Sequence, residues 1–490
     1  MDKHLHPNHI CETCKPLRPA NSALWGPHLG RRAFFKLAGT GVAGYFLAPT
    51  ALAGSAQTQG TGAQLVGKAR NVIFIQMQGA PSHIDTFDLK VGDWLPNDFN
   101  PTSYNGILFP RGLMPNLTDH LNKLTIIRSL RAPALVHNLQ QIWTQISRNP
   151  TSIDGRTAPH IGSIVSLELE SERTPQQILP GFMALNEGLL TGSGFLQSKY
   201  TALSLPAISN GLPGALHPAG KTGFESRFQI LMDLDGNLRT DSPLGEEVAD
   251  LDGFYQQAHD LMYNPQINEV FAYRRDDAGR YGGSTFGLSL ALARNILSSN
   301  LGTRFIQVNQ DGWDNHANIY ATIRQPAAVF DQGLAALLTD LSSMPGVWGG
   351  TLLDETLIVA MGEFGRTIGV PGASLNAQNG RDHYFQHFAV LAGGGTRGGT
   401  VIGKTNDIGS GIVDPGWSQN RPIVNEDIAA TIYSAMGIDY TKVIREPATQ
   451  RRFEYVPFAA QGAWGPVMEV FKREPRLRPG ITPRGPRQIG

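Results

Sequence analysis

The chain has almost no cysteine, no excess charge and no long apolar run. Its two cysteines, Cys11 and Cys14, both lie near the amino terminus. Whatever folds downstream is therefore built without disulfides or thiol chemistry. Lysine plus arginine and aspartate plus glutamate number 41 each. That balance supplies no basic field for nucleic acid or an anionic lipid surface. No stretch approaches the roughly 20 apolar residues that a membrane helix needs, so no stable membrane span is expected. Gly393-Gly394-Gly395 is not followed by Gly-Lys-Ser/Thr, which excludes a phosphate loop and leaves a tight turn.

What is present starts with Gly30-Arg31-Arg32-Ala33-Phe34-Phe35-Lys36. This arginine pair precedes a short, glycine-broken apolar stretch, Leu37 to Leu47, and then Pro49-Thr50-Ala51-Leu52-Ala53, a small-x-small cleavage site. The order is that of a twin-arginine signal peptide. It predicts a leader over 1–53, the twin-arginine translocase as a transient partner, and a periplasmic or extracellular protein. The leader holds six Lys/Arg and two acids, so the remaining 437 residues carry a net charge of −4. His4, His6, His9, Cys11 and Cys14 imitate a metal cluster, but they precede the arginine pair and read as incidental to the mature protein.

Residues 54–70 are rich in Gly, Gln and Thr and read as a flexible lead-in. Short apolar runs at 71–77, 124–127, 303–308, 356–361 and 388–391 read as buried strands. Helical spacing marks 161–169, 286–297 and 328–341. Strands alternating with helices predict an α/β domain over 71–471, with a largely parallel central sheet and helices on both faces. Gly, Pro and polar residues over 180–265 suggest a cap or insertion, and 472–490 an extended tail. Ligands of such sheets bind beyond the carboxyl ends of the strands. Polar clusters stand there repeatedly: Ser82, His83, Asp85 and Asp88; Asp311, Asp314 and His316; Glu363 and Arg366. Arg381, Asp382 and His383 stand just before the last run.

Four segments carry a resemblance. Ala80-Pro-Ser-His-Ile-Asp-Thr-Phe-Asp88, Asp311-Gly-Trp-Asp-Asn-His316, Gly362-Glu-Phe-Gly-Arg-Thr367 and Gly380-Arg-Asp-His-Tyr384 resemble the motifs of domain of unknown function 1501, exported bacterial proteins similar to sulfatases and alkaline phosphatases. Met114-Pro-Asn-Leu117 and the helix-like segment 424–439 are similar to elements of the same superfamily. The resemblance covers about 70–460 and implies an alkaline-phosphatase-like fold with metal-assisted hydrolysis of phosphate or sulfate esters. The sequence departs from that pattern in several places. Gln78-Gly79 stands where an Asp is expected, with Asp85 further on. Glu363-Phe364 replaces an Asp-His pair. Asp311 and His316 are one residue too far apart for D-x-x-x-H, and Asp314 and His316 one too close. His383 fits the late histidine. Cys14-Lys-Pro-Leu-Arg18 imitates the sulfatase nucleophile signature but lies in the leader. Near the nucleophile position stand Ser129 and His137.

Asp311, Asp314, His316, Glu363, Asp382 and His383 form a mixed nitrogen and oxygen set suited to a divalent metal, with Zn, Mn, Ca and Mg all open. His137 and Asp85 are candidate catalytic groups, and Arg366 or Arg381 could hold an anionic oxygen bidentately. Structural roles compete. Asp311-Gly312 makes a good turn, and Trp313 reads as packing. Glu363 and Arg366 are spaced for an ion pair. His383 beside Asp382 could be a satisfied buried histidine, and His160 sits where a helix cap belongs. Two functions follow. One is an exported hydrolase of an anionic small-molecule or polymer ester, using metal-activated water. The other is a catalytically degenerate relative that binds carbohydrate, polymer or an envelope partner.

Overall fold

Asn71–Met77, the first apolar run, forms strand β1 and is buried along its whole length. The computed structural model describes residues 62–472, except 187, 207–211, 213–215, 237–252, 254, 257 and 368–379. The leader over 1–53 and the tail beyond 472 lie outside the described residues.

Seven further strands join β1 in one sheet: β2 (Leu124–Arg131), β3 (Phe182–Leu185), β4 (Leu203–Leu205), β5 (Phe305–Gln310), β6 (Thr356–Met361), β7 (Gln386–Ala392) and β8 (Thr400–Ile402). Their order is β8-β2-β7-β6-β1-β5-β3-β4. All neighbours are parallel except β7, which runs antiparallel to both β2 and β6. The five runs read from the sequence are thus all strands of a largely parallel sheet. β3 and β4 fall inside the stretch read as a cap, which corrects that reading: they are its last two strands. Phe182-Met-Ala-Leu185 is fully buried but only four residues long, too short to show period or length among its Gly and Pro neighbours.

Side-chain alternation splits the core. Ile73, Ile75 and Met77 enter one apolar cluster with Phe286, Leu290, Phe330 and Leu334. These come from α4 (Thr285–Ser299) and α5 (Arg324–Ser343). Val72 and Phe74 enter the other, with Ile146, Ile161, Ile164 and Ile428. That face carries α1 (His137–Ile146), α2 (Ile161–Leu169) and α6 (Asn425–Ala435). Helix α3 (Gly220–Leu231) has no buried residue. No helix among the described residues is long and apolar enough to cross a membrane. The stretch read as a flexible lead-in is, from Val66 on, tied to α6: Val66 N donates to Ser434 O at 2.9 Å and Ala69 N to Ala435 O at 2.8 Å.

Two buried polar groups fix the helix layers. Asp331 on α5 accepts from Asn116 N (3.1 Å), Asn116 Nδ2 (2.6 Å) and Leu117 N (2.7 Å), capping the short helix Pro115–Thr118. His160 caps α2 by accepting from Gly162 N at 2.8 Å, while its Nε2 meets Gln307 Oε1 at 2.7 Å. The cap expected of His160 is therefore present. Burial pushes the His160 imidazole down to about 3. His387 is also pushed down to about 3, by burial first and then by His83, and its ring nitrogens have no partner among the described residues.

Asp331→Ala leaves three donors of the short helix unmet. It is expected to lower unfolding free energy by about 2–3 kcal/mol in denaturant titration. The two depressed histidines set a pH dependence. Their neutral forms are favoured in the fold, so their stabilisation is complete above the unfolded value near 6.5 and is lost as pH falls towards about 3. Each contributes a slope of up to about 1.4 kcal/mol per pH unit in that window. His160→Asn, which keeps a capping oxygen, should flatten the slope in chelator-treated protein. An unchanged slope would contradict this assignment.

Candidate metal centre

β1, β5 and β6 all end at one rim of the sheet, and each is followed by a polar turn. Gly79 and Ala80 leave β1 with φ of 100° and 62°. A Cβ on Gly79 would stand 2.4 Å from Asp314 N, so glycine lets the turn after β5 close onto the turn after β1. Gly380 plays the same part further round, where a Cβ would meet His316 O at 1.7 Å. A short antiparallel ribbon, Gly365–Arg366 against His383–Tyr384, then carries the chain into β7. Because β7 runs opposite to its neighbours, the chain enters it at the rim where β1, β5 and β6 leave.

Four side chains meet there: His137 at the start of α1, Asp314 and His316 after β5, and His383 before β7. One ligand atom from each lies within 4.8 Å of all the others. His137 Nε2 is 3.0 Å from His383 Nε2 and 3.4 Å from Asp314 Oδ1, and His316 Nε2 is 2.9 Å from Asp314 Oδ1. In two of the rings the other nitrogen has its own acceptor. His137 Nδ1 donates to Glu363 Oε1 at 2.6 Å and His383 Nδ1 to Leu135 O at 2.8 Å, while His316 Nδ1 lies 3.1 Å from Asp382 Oδ1 and its Nε2 3.2 Å from Arg366 Nη1. An Nδ1–H tautomer leaves the Nε2 lone pair free. The lone pairs of His137 and His383 therefore face each other at 3.0 Å, which calls for positive charge between them. Metal–nitrogen bonds of about 2.0–2.1 Å in tetrahedral geometry would hold ligand atoms about 3.3 Å apart. The donor set and its spacing fit a divalent cation.

Electrostatics agree with the donor roles. Burial alone would raise the Asp314 carboxyl, but Arg366, then His137 and His316, hold it below the usual carboxylate range. Burial lowers His383; the Leu135 carbonyl opposes this, and Arg366, His137 and His316 add to the lowering. Burial, then Glu363, raises Asp311. Glu363 is fully buried, and its Oε1 also accepts from Gly79 N and Gln141 Nε2, each at 3.0 Å. Its Oε2 has no partner among the described residues.

Of the six candidate ligands, Asp314, His316 and His383 are in the cluster. Glu363 stands one step back, holding His137, and Asp382 lies 3.1 Å from His316 Nδ1, while Asp311 Oδ1 lies 2.5 Å from the Gln78 side-chain amide. His137, a candidate for the nucleophile position, belongs to the cluster itself. Arg366 is buried and spent on the scaffold. Its Nε donates to Ala80 O (2.9 Å), Nη1 to Arg381 O (3.1 Å) and Nη2 to Asp314 Oδ1 (2.5 Å) and to Gly79 O. Asp85 is buried in an ion pair with Arg381 Nε at 3.1 Å. Ser129 is buried and donates to Pro415 O at 2.7 Å. Trp313 is fully buried, as packing predicts. The residues missed were two positioning groups, the acceptor Leu135 O and the donor Gln141 Nε2. A backbone carbonyl carries no sequence signal, but Gln141 lies one helical turn after His137.

The family model described as protein of unknown function (DUF1501) matches residues 69–456. Solved structures match at low identity. One is a protein of the alkaline phosphatase superfamily from Vibrio parahaemolyticus, 11% identical, covering 77% of this chain and 69% of that one, with TM-score 0.33. Another is the PsFucS1 sulfatase from Pseudoalteromonas sp., 14% identical, covering 76% and 68%, with TM-score 0.34. A third is the lipoteichoic acid synthase LtaP from Listeria monocytogenes, 10% identical, covering 76% and 74%, with TM-score 0.32. No curated protein matches.

Glu363→Gln keeps an acceptor but removes the charge that holds His137. It is expected to weaken zinc binding by about 10–100-fold in competition with a chromophoric chelator. Equal zinc affinity in the variant and the wild type would sink the positioning role.

Proposed function

Because the chain belongs to the DUF1501 family, whose members are described only as proteins of unknown function, we propose its activity from the rim itself: metal-dependent hydrolysis of a phosphate or sulfate ester, outside the cytoplasm. The observation that supports this is the convergence of three imidazoles and one carboxylate, with His137 held by Glu363 and His383 by Leu135 O. His137, Asp314, His316 and His383 would hold the ion. A divalent metal there supplies Lewis acidity to an ester oxygen and makes water nucleophilic near neutral pH.

The other residues do what proteins do around such an ion. Glu363 and Leu135 O fix the tautomer and the direction of the His137 and His383 rings, and Asp382 lies beside His316. Arg366 holds Asp314 from behind and keeps it ionised. Burial, then Glu363, raises the Asp311 carboxyl beside this cluster. His316 and Asp314 are about half exposed, so an ion held there would be open to solvent and substrate on that side. The signal read over 1–53 supports export through the twin-arginine route.

A second reading, a relative that binds a ligand without turnover, is favoured by Ser129 being buried and bonded to Pro415 O. Elemental analysis and turnover separate the two. The hydrolase is expected to carry about one equivalent of Zn, Mn or a similar ion. It should cleave aryl phosphate or sulfate, lose activity with chelator, and lose at least about 100-fold in kcat/KM in His137→Ala and His383→Ala, an effect of roughly 2.7 kcal/mol. Metal uptake without turnover of either ester would favour the binding protein. Protein that takes up no divalent metal would overturn the centre.

A further inference from the structure

The rim that carries the histidine cluster continues into a shallow cleft between Arg131, Ala132, Pro133, Phe385 and Val424. Two of its walls belong to the segments that deliver the histidines: 131–133 leads into His137, and Phe385 follows His383 by two residues. The walls are tied by backbone hydrogen bonds. Arg131 N donates to Ile423 O at 2.8 Å and Ala132 N to Phe385 O at 2.9 Å. β2, which ends at Arg131, is parallel to β6 and lies two strands away in the sheet order. At about 4.8 Å per strand, the cleft stands about 10 Å from the turn that carries Glu363.

The cleft holds a cation of a different kind from the two arginines beside the cluster. Arg366 is spent on carbonyls and Asp314, and Arg381 is buried against Asp85 and Tyr320. Arg131 is exposed, and the contact its guanidinium makes is with the Phe385 ring, 5.4 Å from the centroid. A guanidinium laid on an aromatic face keeps its charge and its planar donor edge available for an oxyanion. Asn425, next to Val424, is buried with neither side-chain amide atom partnered among the described residues. A guanidinium with its donor edge free suits an anionic group, and its place on the shared rim would let one molecule reach both the cleft and the metal centre.

We propose that Arg131 and Phe385 form a second anion subsite on the rim beside the metal centre, about 10 Å from the turn that carries Glu363, so that the substrate is a multiply sulfated or phosphorylated oligomer rather than a lone monoester. The proposal rests on the hydrolase reading for the first anion, and the test reads the two apart. Zinc-loaded wild type, Arg131→Ala and Arg131→Lys are titrated calorimetrically with sucrose octasulfate and with inorganic sulfate. Arg156→Ala, an exposed arginine outside the cleft, serves as the charge control. Arg131→Ala is expected to bind sucrose octasulfate at least about tenfold more weakly, as loss of a charged hydrogen bond implies. Arg131→Lys should recover part of the loss. Zinc content and inorganic sulfate affinity should stay at wild-type values, and Arg156→Ala should bind like wild type. Equal octasulfate affinity in Arg131→Ala, an equal loss in Arg156→Ala, or no binding by wild type at millimolar concentration would each overturn the subsite. Wild-type protein that takes up no zinc overturns the metal centre instead, and the dependence of octasulfate binding on Arg131 is still read in that protein.

Discussion

One carboxylate oxygen, Glu363 Oε1, organises the rim. It receives hydrogen bonds from Gly79 N after β1 and from His137 and Gln141 on successive turns of α1, while its own backbone follows β6. A buried carboxylate is costly unless donors meet it, and here three donors meet one oxygen. Meeting them brings two strand ends and a helix into register, and it also sets the tautomer of His137. The direction in which that imidazole presents its lone pair is thus a by-product of satisfying a buried charge. Arg366 does the converse on the other side: its guanidinium gathers the carbonyls of Gly79, Ala80 and Arg381 and ends on Asp314. A negative and a positive group, both buried, pin the turn after β1 from opposite sides.

The strand runs were legible because they are apolar, short and bounded by glycine or polar turns. β3 was not, since four buried residues between prolines and glycines show neither period nor length. The region of the site was legible from polar residues recurring after strands. The division of labour within it was not. Glu363 and Asp382 have the residue type of ligands, yet each meets an imidazole instead, and composition cannot distinguish a carboxylate on an ion from one on the ion's histidine. Asp85 stands at the right strand end, but its partner Arg381 is 296 positions away, and only the fold shows that the pair is closed. The spacing of Asp311 and His316 looked one residue too long because the carboxylate that meets His316 is Asp314. His137 gave the weakest signal, a lone histidine after a strand, yet it lies against both His383 and Asp314.

The reversed strand β7 has a geometric role. In an all-parallel sheet, each strand end at this rim would be reached only after a crossover. An antiparallel neighbour lets the incoming chain present His383 at the same edge, from a ribbon already paired with Arg366. The same approach places Phe385 beside Arg131, so one change of direction supplies a wall to both the centre and the cleft.

His137 and His383 are 246 positions apart. An ion shared between them would be a staple across more than half of the described chain. Closing so long a loop removes a large share of the unfolded chain's freedom, and the cost grows only slowly with further length. Occupancy of the centre and integrity of the whole sheet would then be one equilibrium, in which losing the ion releases the chain and fraying of either segment releases the ion.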